Sequence, residues 1–392
     1  VKYVLVIYEG AADVPMDELE GETPLGLARN IHATSLVNRG IAGALEWPDS
    51  DSAGRLEYAL ATMLGVAPDE ARALRRGPVE AAGTCLDPAS WTYAYRGNFV
   101  PFDGRELKES RVSGLSLDET KWLADVVGES LAAKAISVEV IGDGRVVVVF
   151  DQLDGKIDPG EFPAVGLAVD LNREDVGAEK LSHREVVMKS VADLLAKQSI
   201  NDVRLDLGEN PANMIWLWGG GPPVEISRTF AGAPVVKAAM VTNSPLARGM
   251  ARLCRMSCLE LGDVWSDMAK PDVISAQMLG KCVDGHQLTV VYVESPVEGG
   301  SYGSPVEKVK SMDRLDIHVL GRVLEAVEQN QEVRVMVAAL PAEGMHMELT
   351  PLLLSGSEVP PDASERWNEN LCSEGAMGSV PADRGLTRLL GD

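Results

Sequence analysis

A three-layer α/β fold with a smaller α+β unit inserted into it is predicted by three features of this sequence. Apolar, valine-rich runs alternate with helical patterns toward both ends of the chain, the mark of a largely parallel sheet covered by helices. Between them lies a hairpin signal that belongs to antiparallel pairing. The length, 392 residues, exceeds the size at which one hydrophobic core stops growing, so two domains or one domain with an insertion are expected.

Residues 1–8 form an apolar run closed by Glu9-Gly10, which suits a strand buried on both faces. A helix containing Ala28, Leu36 and Val37 follows. Residues 137–141 and 145–150 are short apolar runs joined by Gly142-Asp143-Gly144, read as a β-hairpin. Helical patterns over 119–135 and 184–198 flank it, so the middle of the chain forms an α+β unit of its own. After Asn210-Pro211 the apolar runs 214–218, 235–241, 288–293 and 333–340 read as further strands of the first sheet. Residues 305–327 carry Val306, Val309, Met312, Leu315, Val319, Leu320 and Val323, a helical period that predicts one amphipathic helix opening on Pro305. Residues 355–364 read as a surface loop. The expected division is a discontinuous core domain over 1–70 and 225–392 and an inserted domain over 71–224.

The chain carries 36 basic and 59 acidic side chains, a formal charge of −23. That field repels nucleic acids and anionic membrane faces, so neither is expected as a partner. No apolar run approaches membrane-spanning length and no basic leader precedes the first strand, which predicts a cytoplasmic protein. Five cysteines without framework spacing read as reduced thiols. Cys254 and Cys258, four apart in a helical pattern, are expected to share a helix face as packed thiols. Gly219-Gly220-Gly221-Pro222-Pro223 lacks the Lys and Ser/Thr of a phosphate loop and reads as a hinge or tight crossing. Trp216 and Trp218 read as packing. Among five histidines none is spaced with another as a metal pair; His318 reads as a helix-edge residue and His32 carries no assigned role.

Several motifs together resemble the archaeal-type cofactor-independent phosphoglycerate mutases of the alkaline phosphatase superfamily. They are E-G-A-A-D at 9–13 against D-G-M-G-D, G-E-T-P-L at 21–25 against G-K-T-P-L, R-G-P-V-E-A-A-G at 76–83, R-G-N-F-V at 96–100, N-P-A-N-M-I-W-L-W-G-G-G at 210–221 and P-L-A-R-G-M-A-R-L at 245–253. The resemblance implies an alkaline-phosphatase-like core with an inserted lid domain that closes on substrate. It also implies two divalent ions beside a serine that carries the phosphoryl group, since two metals together activate a nucleophile and stabilise a leaving oxygen.

The implied chemistry breaks at named positions. The family's first aspartate ligand falls on Glu9, its serine on Leu56, and D-E-A-G-H on V-E-G-G-S, which leaves Val297 and Ser301 where an aspartate and a histidine belong. The following Asp-His pair meets Ala338 to Pro341, and His346 is a remnant of the last histidine. The expectation is a catalytically inactive relative acting as a binding or scaffolding subunit, with no cofactor and with another protein as partner. The helical segment 305–327 and the segment 367–390 are candidates for that contact, and homo-oligomers stay open. Arg76, Arg96 and Asn98 match the family's substrate-gripping residues and are candidates for a small phosphorylated anion, because guanidinium donors form a fork; paired surface arginines are the plainer reading. The alternative is an active mutase or metal-dependent phosphotransferase using Glu9, Ser50 or Ser52 and His346 with two ions of Mn, Zn, Co or Mg.

Overall fold

The computed structural model describes residues 1–131, 137–153, 155–171, 181–227, 229–230, 237–260, 276–294, 305–328, 332–362, 364, 366–370 and 375–391. In chain order the first elements are β1 (Lys2–Glu9), α1 (Pro24–Leu27), α2 (Ile31–Val37), β2 (Gly40–Glu46), α3 (Leu56–Met63) and α4 (Pro68–Ala73). Then come α5 (Arg76–Ala82), β3 (Tyr93–Val100), α6 (Leu117–Leu131), β4 (Ser137–Gly142), β5 (Arg145–Phe150), α7 (His183–Leu195), α8 (Ser199–Asp206) and β6 (Met214–Gly221). The last third holds β7 (Ala238–Thr242), α9 (Pro245–Leu253), β8 (Ser257–Glu260), α10 (Ala276–Gly285), β9 (Leu288–Glu294), α11 (Pro305–Leu315), α12 (Gly321–Glu328), β10 (Val333–Ala339), β11 (Leu349–Gly356), β12 (Gly378–Pro381) and α13 (Gly385–Leu390).

The chain divides into two compact units, Val1–Ala73 with Ile226–Asp392, and Leu74–Glu225. The first is built on an eight-stranded sheet in the order β12-β2-β11-β10-β1-β9-β7-β8. Strand β1 runs parallel to both neighbours, β9 and β10, while β11 runs antiparallel to β10 and β2. Alternation explains its two-sided burial: Val4, Val6 and Tyr8 join a cluster with Leu36, Val37, Leu279, Met312, Leu315 and Val319, while Leu5 and Ile7 between them are also fully buried and α13 packs against β1 and β10. Helices cover both faces, which a near-continuous apolar central strand requires.

The second unit is a four-stranded antiparallel sheet, β4-β5-β3-β6. Its sheet and the helices α6 and α7 share one apolar cluster that includes Phe99, Val148, Leu123, Met188 and Leu217. The expected hairpin is present as β4 and β5. The run 214–218 does not extend the first sheet; it lies in β6 and pairs with β3. An apolar run records burial and carries no information about its partner strand.

Two further expectations change. Residues 305–327 are not one α-helix: a π-helical turn at Asp316–Leu320 separates α11 from α12. Cys254 and Cys258 do not share a helix face. Cys254 is the buried C-cap of α9, the chain turns at Arg255 with φ 57, and Cys258 is exposed in β8. The glycines of β6 make a close crossing, as a Cβ on Gly220 would sit 2.3 Å from the Tyr95 ring and one on Gly219 2.7 Å from Arg76 Cβ. Tyr95 is fully buried, so Gly220→Ala is expected to cost about 1–3 kcal/mol through overpacking. An unchanged urea midpoint would show that the ring has room to move.

Among the described residues no helix is long and apolar enough to cross a membrane.

Candidate functional site

In an open α/β sheet ligands bind outside the carboxyl ends of the strands, and in the first unit that edge carries Glu9, Glu294 and Asp13. Glu9 ends β1, faces Glu294 in register across to β9, and is wholly buried. The Tyr292 hydroxyl donates to Glu9 Oε2 at 2.5 Å. Glu294 accepts from Ser244 Oγ at 2.7 Å, and Ser244 is the N-cap of α9.

Beyond Glu9 the chain turns through Gly10 with φ 74, and Ala12 N–H donates to Leu340 at the end of β10. This places Asp13, only 4% exposed, against Lys308 of α11, 6% exposed, in a buried ion pair through Asp13 Oδ2. Asp13 Oδ1 accepts from Val14 N–H. The Asp13 N–H donates at 3.0 Å to Glu369, whose other oxygen accepts from Thr23 Oγ1 at 2.5 Å, and Thr23 caps α1. Burial raises the Glu369 carboxyl above its usual value against those hydrogen bonds.

The donors at this edge do not fit the two-metal centre that the resemblance implies. Asp13 already carries an ammonium, Glu9 a phenol and Glu294 a serine hydroxyl. Among the described residues no three His, Cys, Asp or Glu side chains form a group that could hold a metal ion. Leu56, the first residue of α3, is wholly buried. Ala338 and Ala339 are paired in β10. Val297 and Ser301 lie outside the described residues.

Ser50, Ser52 and His346 lie together, though not as a nucleophile and base. His346 Nδ1 lies 2.7 Å from Asp51 Oδ1, and both side chains are largely exposed. Ser50 Oγ reaches the same Asp51 oxygen at 3.3 Å, while Ser52 Oγ donates to Asp49 at 2.7 Å. Each serine is thus hydrogen-bonded to an aspartate, and the imidazole nitrogen that would deprotonate a nucleophile must lie within reach of the hydroxyl itself.

In the second unit Arg76, Arg96 and Asn98 do converge. Arg96 and Asn98 alternate on β3 and so share a face. Arg76 opens α5, which approaches β3 closely enough that a Cβ on Gly77 would meet the Ala94 carbonyl at 2.5 Å. All three side chains are buried, and the anion they hold is Glu80 of the same helix. Arg76 Nε donates to Glu80 Oε1 at 2.8 Å and an Arg96 guanidinium nitrogen donates to the same oxygen at 2.5 Å. Arg96 Nε donates to Asn98 Oδ1 at 2.9 Å, and the Arg96 guanidinium lies 5.9 Å from the centroid of the Trp218 ring. The reading of Arg76 and Arg96 as surface arginines is therefore corrected: they are interior. Burial pushes the Glu80 carboxyl up, but Arg96 and Arg76 outweigh it and hold the group below its usual value.

Sequence reasoning missed Glu80, Lys308, Tyr292 and Glu369. For Glu80 the signal was its i,i+4 spacing from Arg76. For Lys308 it was the series Lys308, Ser311, Met312 and Leu315, the face that α11 buries, whereas Val306 is 49% exposed.

No family model matches the chain. It is 25% identical to a 2,3-bisphosphoglycerate-independent phosphoglycerate mutase 2 of Methanothermobacter thermautotrophicus, over 98% of this chain and 96% of that one. It is also 25% identical to the 2,3-bisphosphoglycerate-independent phosphoglycerate mutase of Thermococcus kodakarensis, over 97% and 94%. Among solved structures, a protein from Pyrococcus horikoshii superposes with a TM-score of 0.67 at 21% identity, covering 99% of this chain and 96% of that one. The cofactor-independent phosphoglycerate mutase from Thermoplasma acidophilum superposes with a TM-score of 0.55 at 18% identity, covering 99% and 98%.

Proposed function

We propose that this phosphoglycerate-mutase-like chain, similar along its whole length to archaeal 2,3-bisphosphoglycerate-independent enzymes, is a non-catalytic relative that serves as a binding or scaffolding subunit. The observation that carries the reading is Leu56, a wholly buried apolar side chain at the position that the resemblance gives to the phosphoryl-carrying serine. The ammonium of Lys308 on Asp13 supports it, because a carboxylate neutralised from within the chain has little to offer a dication. A formal charge of −23 favours a protein partner with a basic face, since complementary fields steer encounter.

The test is metal analysis of the purified protein together with an assay of 3- and 2-phosphoglycerate interconversion in added Mn²⁺ or Co²⁺. No stoichiometric metal and no turnover are expected, for the chain itself and for Leu56→Ser, since a serine hydroxyl without an activating group is a weak nucleophile. Stoichiometric metal with turnover in the unaltered protein would establish instead an active phosphotransferase with a rearranged site.

A further inference from the structure

Helix α8 of the inserted unit is inverted. The side chains it buries are Asn201 and Arg204, while Val203, Leu205 and Leu207, its C-cap, are 58%, 58% and 70% exposed. Hydrogen bonds hold the helix where apolar burial does not. Asn201 Nδ2 donates to the Leu195 carbonyl and Asn201 Oδ1 accepts from Ala212 N–H, both at 2.8 Å. Arg204 Nε donates to the Asn210 carbonyl at 2.8 Å, and a second guanidinium nitrogen donates at 2.5 Å to the Ser113 carbonyl, just ahead of α6. Polar groups satisfied in this way keep α8 in place, and Val203 and Leu207, one turn apart on one face, are left in water. Fully burying a Val or Leu side chain is worth about 1.5–3 kcal/mol, a contribution that folding of this chain leaves unused.

The same corner exposes an indole. Gln198, the N-cap of α8, accepts from Trp122 Nε1 of α6 at 3.3 Å, and Trp122 is 59% exposed. A tryptophan tied at the surface beside exposed Val and Leu has the composition of an interface core, where such anchors dominate binding energy. Charge selects what covers it. Asp202 and Asp206 are exposed on α8, one turn apart, with no ion-pair partner among the described residues. The one cation of that helix, Arg204, is buried and paired with Glu209 at 3.3 Å. A second copy of this chain would set the two carboxylates against their own counterparts across a twofold axis, which like charges oppose. A basic amphipathic helix meets both demands, with apolar side chains for the exposed face and cations for the carboxylates.

We infer that the corner between α8 and the start of α6 docks a basic amphipathic helix of another protein, its apolar side chains on Trp122, Val203 and Leu207 and its lysines or arginines beside Asp202 and Asp206. The inference rests on the reading of the chain as a binding subunit, to which it adds the surface and the kind of partner.

Three labelled synthetic peptides test it by fluorescence anisotropy on the full chain at about 0.15 M salt, where the Debye length of about 8 Å limits the pull of the overall charge. The first is a Leu/Lys peptide with leucines at helical spacing, the second has the same residues in an order that gives no apolar face, and the third carries Glu in place of Lys. The first is expected to bind at least about tenfold more tightly than the second, equivalent to roughly 1.4 kcal/mol, and the third not to bind. In Trp122→Ala/Leu207→Ser and in Val203→Ser/Leu207→Ser, all exposed positions, that preference is expected to fall at least about fivefold, or roughly 1 kcal/mol, while the thermal melt stays that of the unaltered protein. Absence of binding, equal binding of the first two peptides, or a preference that survives both double substitutions would overturn the inference. A sedimenting dimer that the same substitutions dissociate would also overturn it, by giving the face to a second copy. The two readings fail separately: turnover with peptide binding intact removes the absence of catalysis, and no peptide binding with no turnover removes this surface.

Discussion

Lys308→Met is expected to destabilise the first unit by about 3–5 kcal/mol, the range for removing one partner of a buried ion pair. Methionine keeps an apolar stem of similar length and removes only the ammonium, so the loss reports the charge that Asp13 is left carrying in the interior. The partly buried Glu369 bonded to the Asp13 backbone adds a second acidic group to that region, which increases the cost. Adding Asp13→Asn to Lys308→Met should recover most of the loss, because neutral replacement of both partners is often close to neutral in energy. Thermal melts of the four proteins form the cycle. A double variant no more stable than Lys308→Met would show that the ion pair is not the source of the effect.

The second large effect is expected in the inserted unit. Arg96→Met should cost about 3–5 kcal/mol, since it removes the guanidinium that holds the wholly buried Glu80, and Arg96→Glu should prevent this unit from folding at neutral pH. Charge reversal here is thus a test of the interior and not of a surface anion site; any anion reaching Arg76 and Arg96 must compete with Glu80. The sign of the pH dependence follows from the same pair. The Glu80 carboxyl lies lower when folded than its ordinary value of 4.5, so its contribution is complete above about pH 4.5 and is lost as the pH falls through the folded value. Urea melts between pH 7 and pH 3 should show a steeper acid loss in the unaltered protein than in Glu80→Gln. Equal slopes would remove Glu80 as the group responsible.

Much of the architecture could be read from local patterns. The apolar run ending at Glu9-Gly10, the Gly-Asp-Gly hairpin and the helical repeats around it each depend on neighbours in sequence, and each is present. Partners were less legible. Strand β6 has the composition of a core strand, and only the register with β3 shows which sheet it joins. The Lys308 and Asp13 pair spans 295 positions, and nothing in either local segment announces the other. In α11 the count of apolar residues pointed to the face with Val306, while the buried face contains a lysine and a serine, because a satisfied charge can replace an apolar side chain in the interior. At Arg76, Arg96 and Asn98 motif spacing identified residues that do meet, and it missed Glu80 because a carboxylate inside R-G-P-V-E reads as one more acid in a chain rich in them.

The position of β1 has a consequence for synthesis. Both of its sheet neighbours come from the last third of the chain, and β9 begins about 280 residues after β1 ends. At about 5–20 residues per second of translation, that interval lasts roughly 15–55 s. Throughout it the Tyr3–Ile7 segment is an apolar strand with two open edges, the kind of segment that pairs with other chains. The inserted unit meets no such delay, because β3 to β6 are all made within one continuous stretch and can pair as they leave the ribosome. A nascent chain of this protein therefore carries a finished middle and an unfinished beginning, and its yield is governed by what shields β1 until residue 339 has been added.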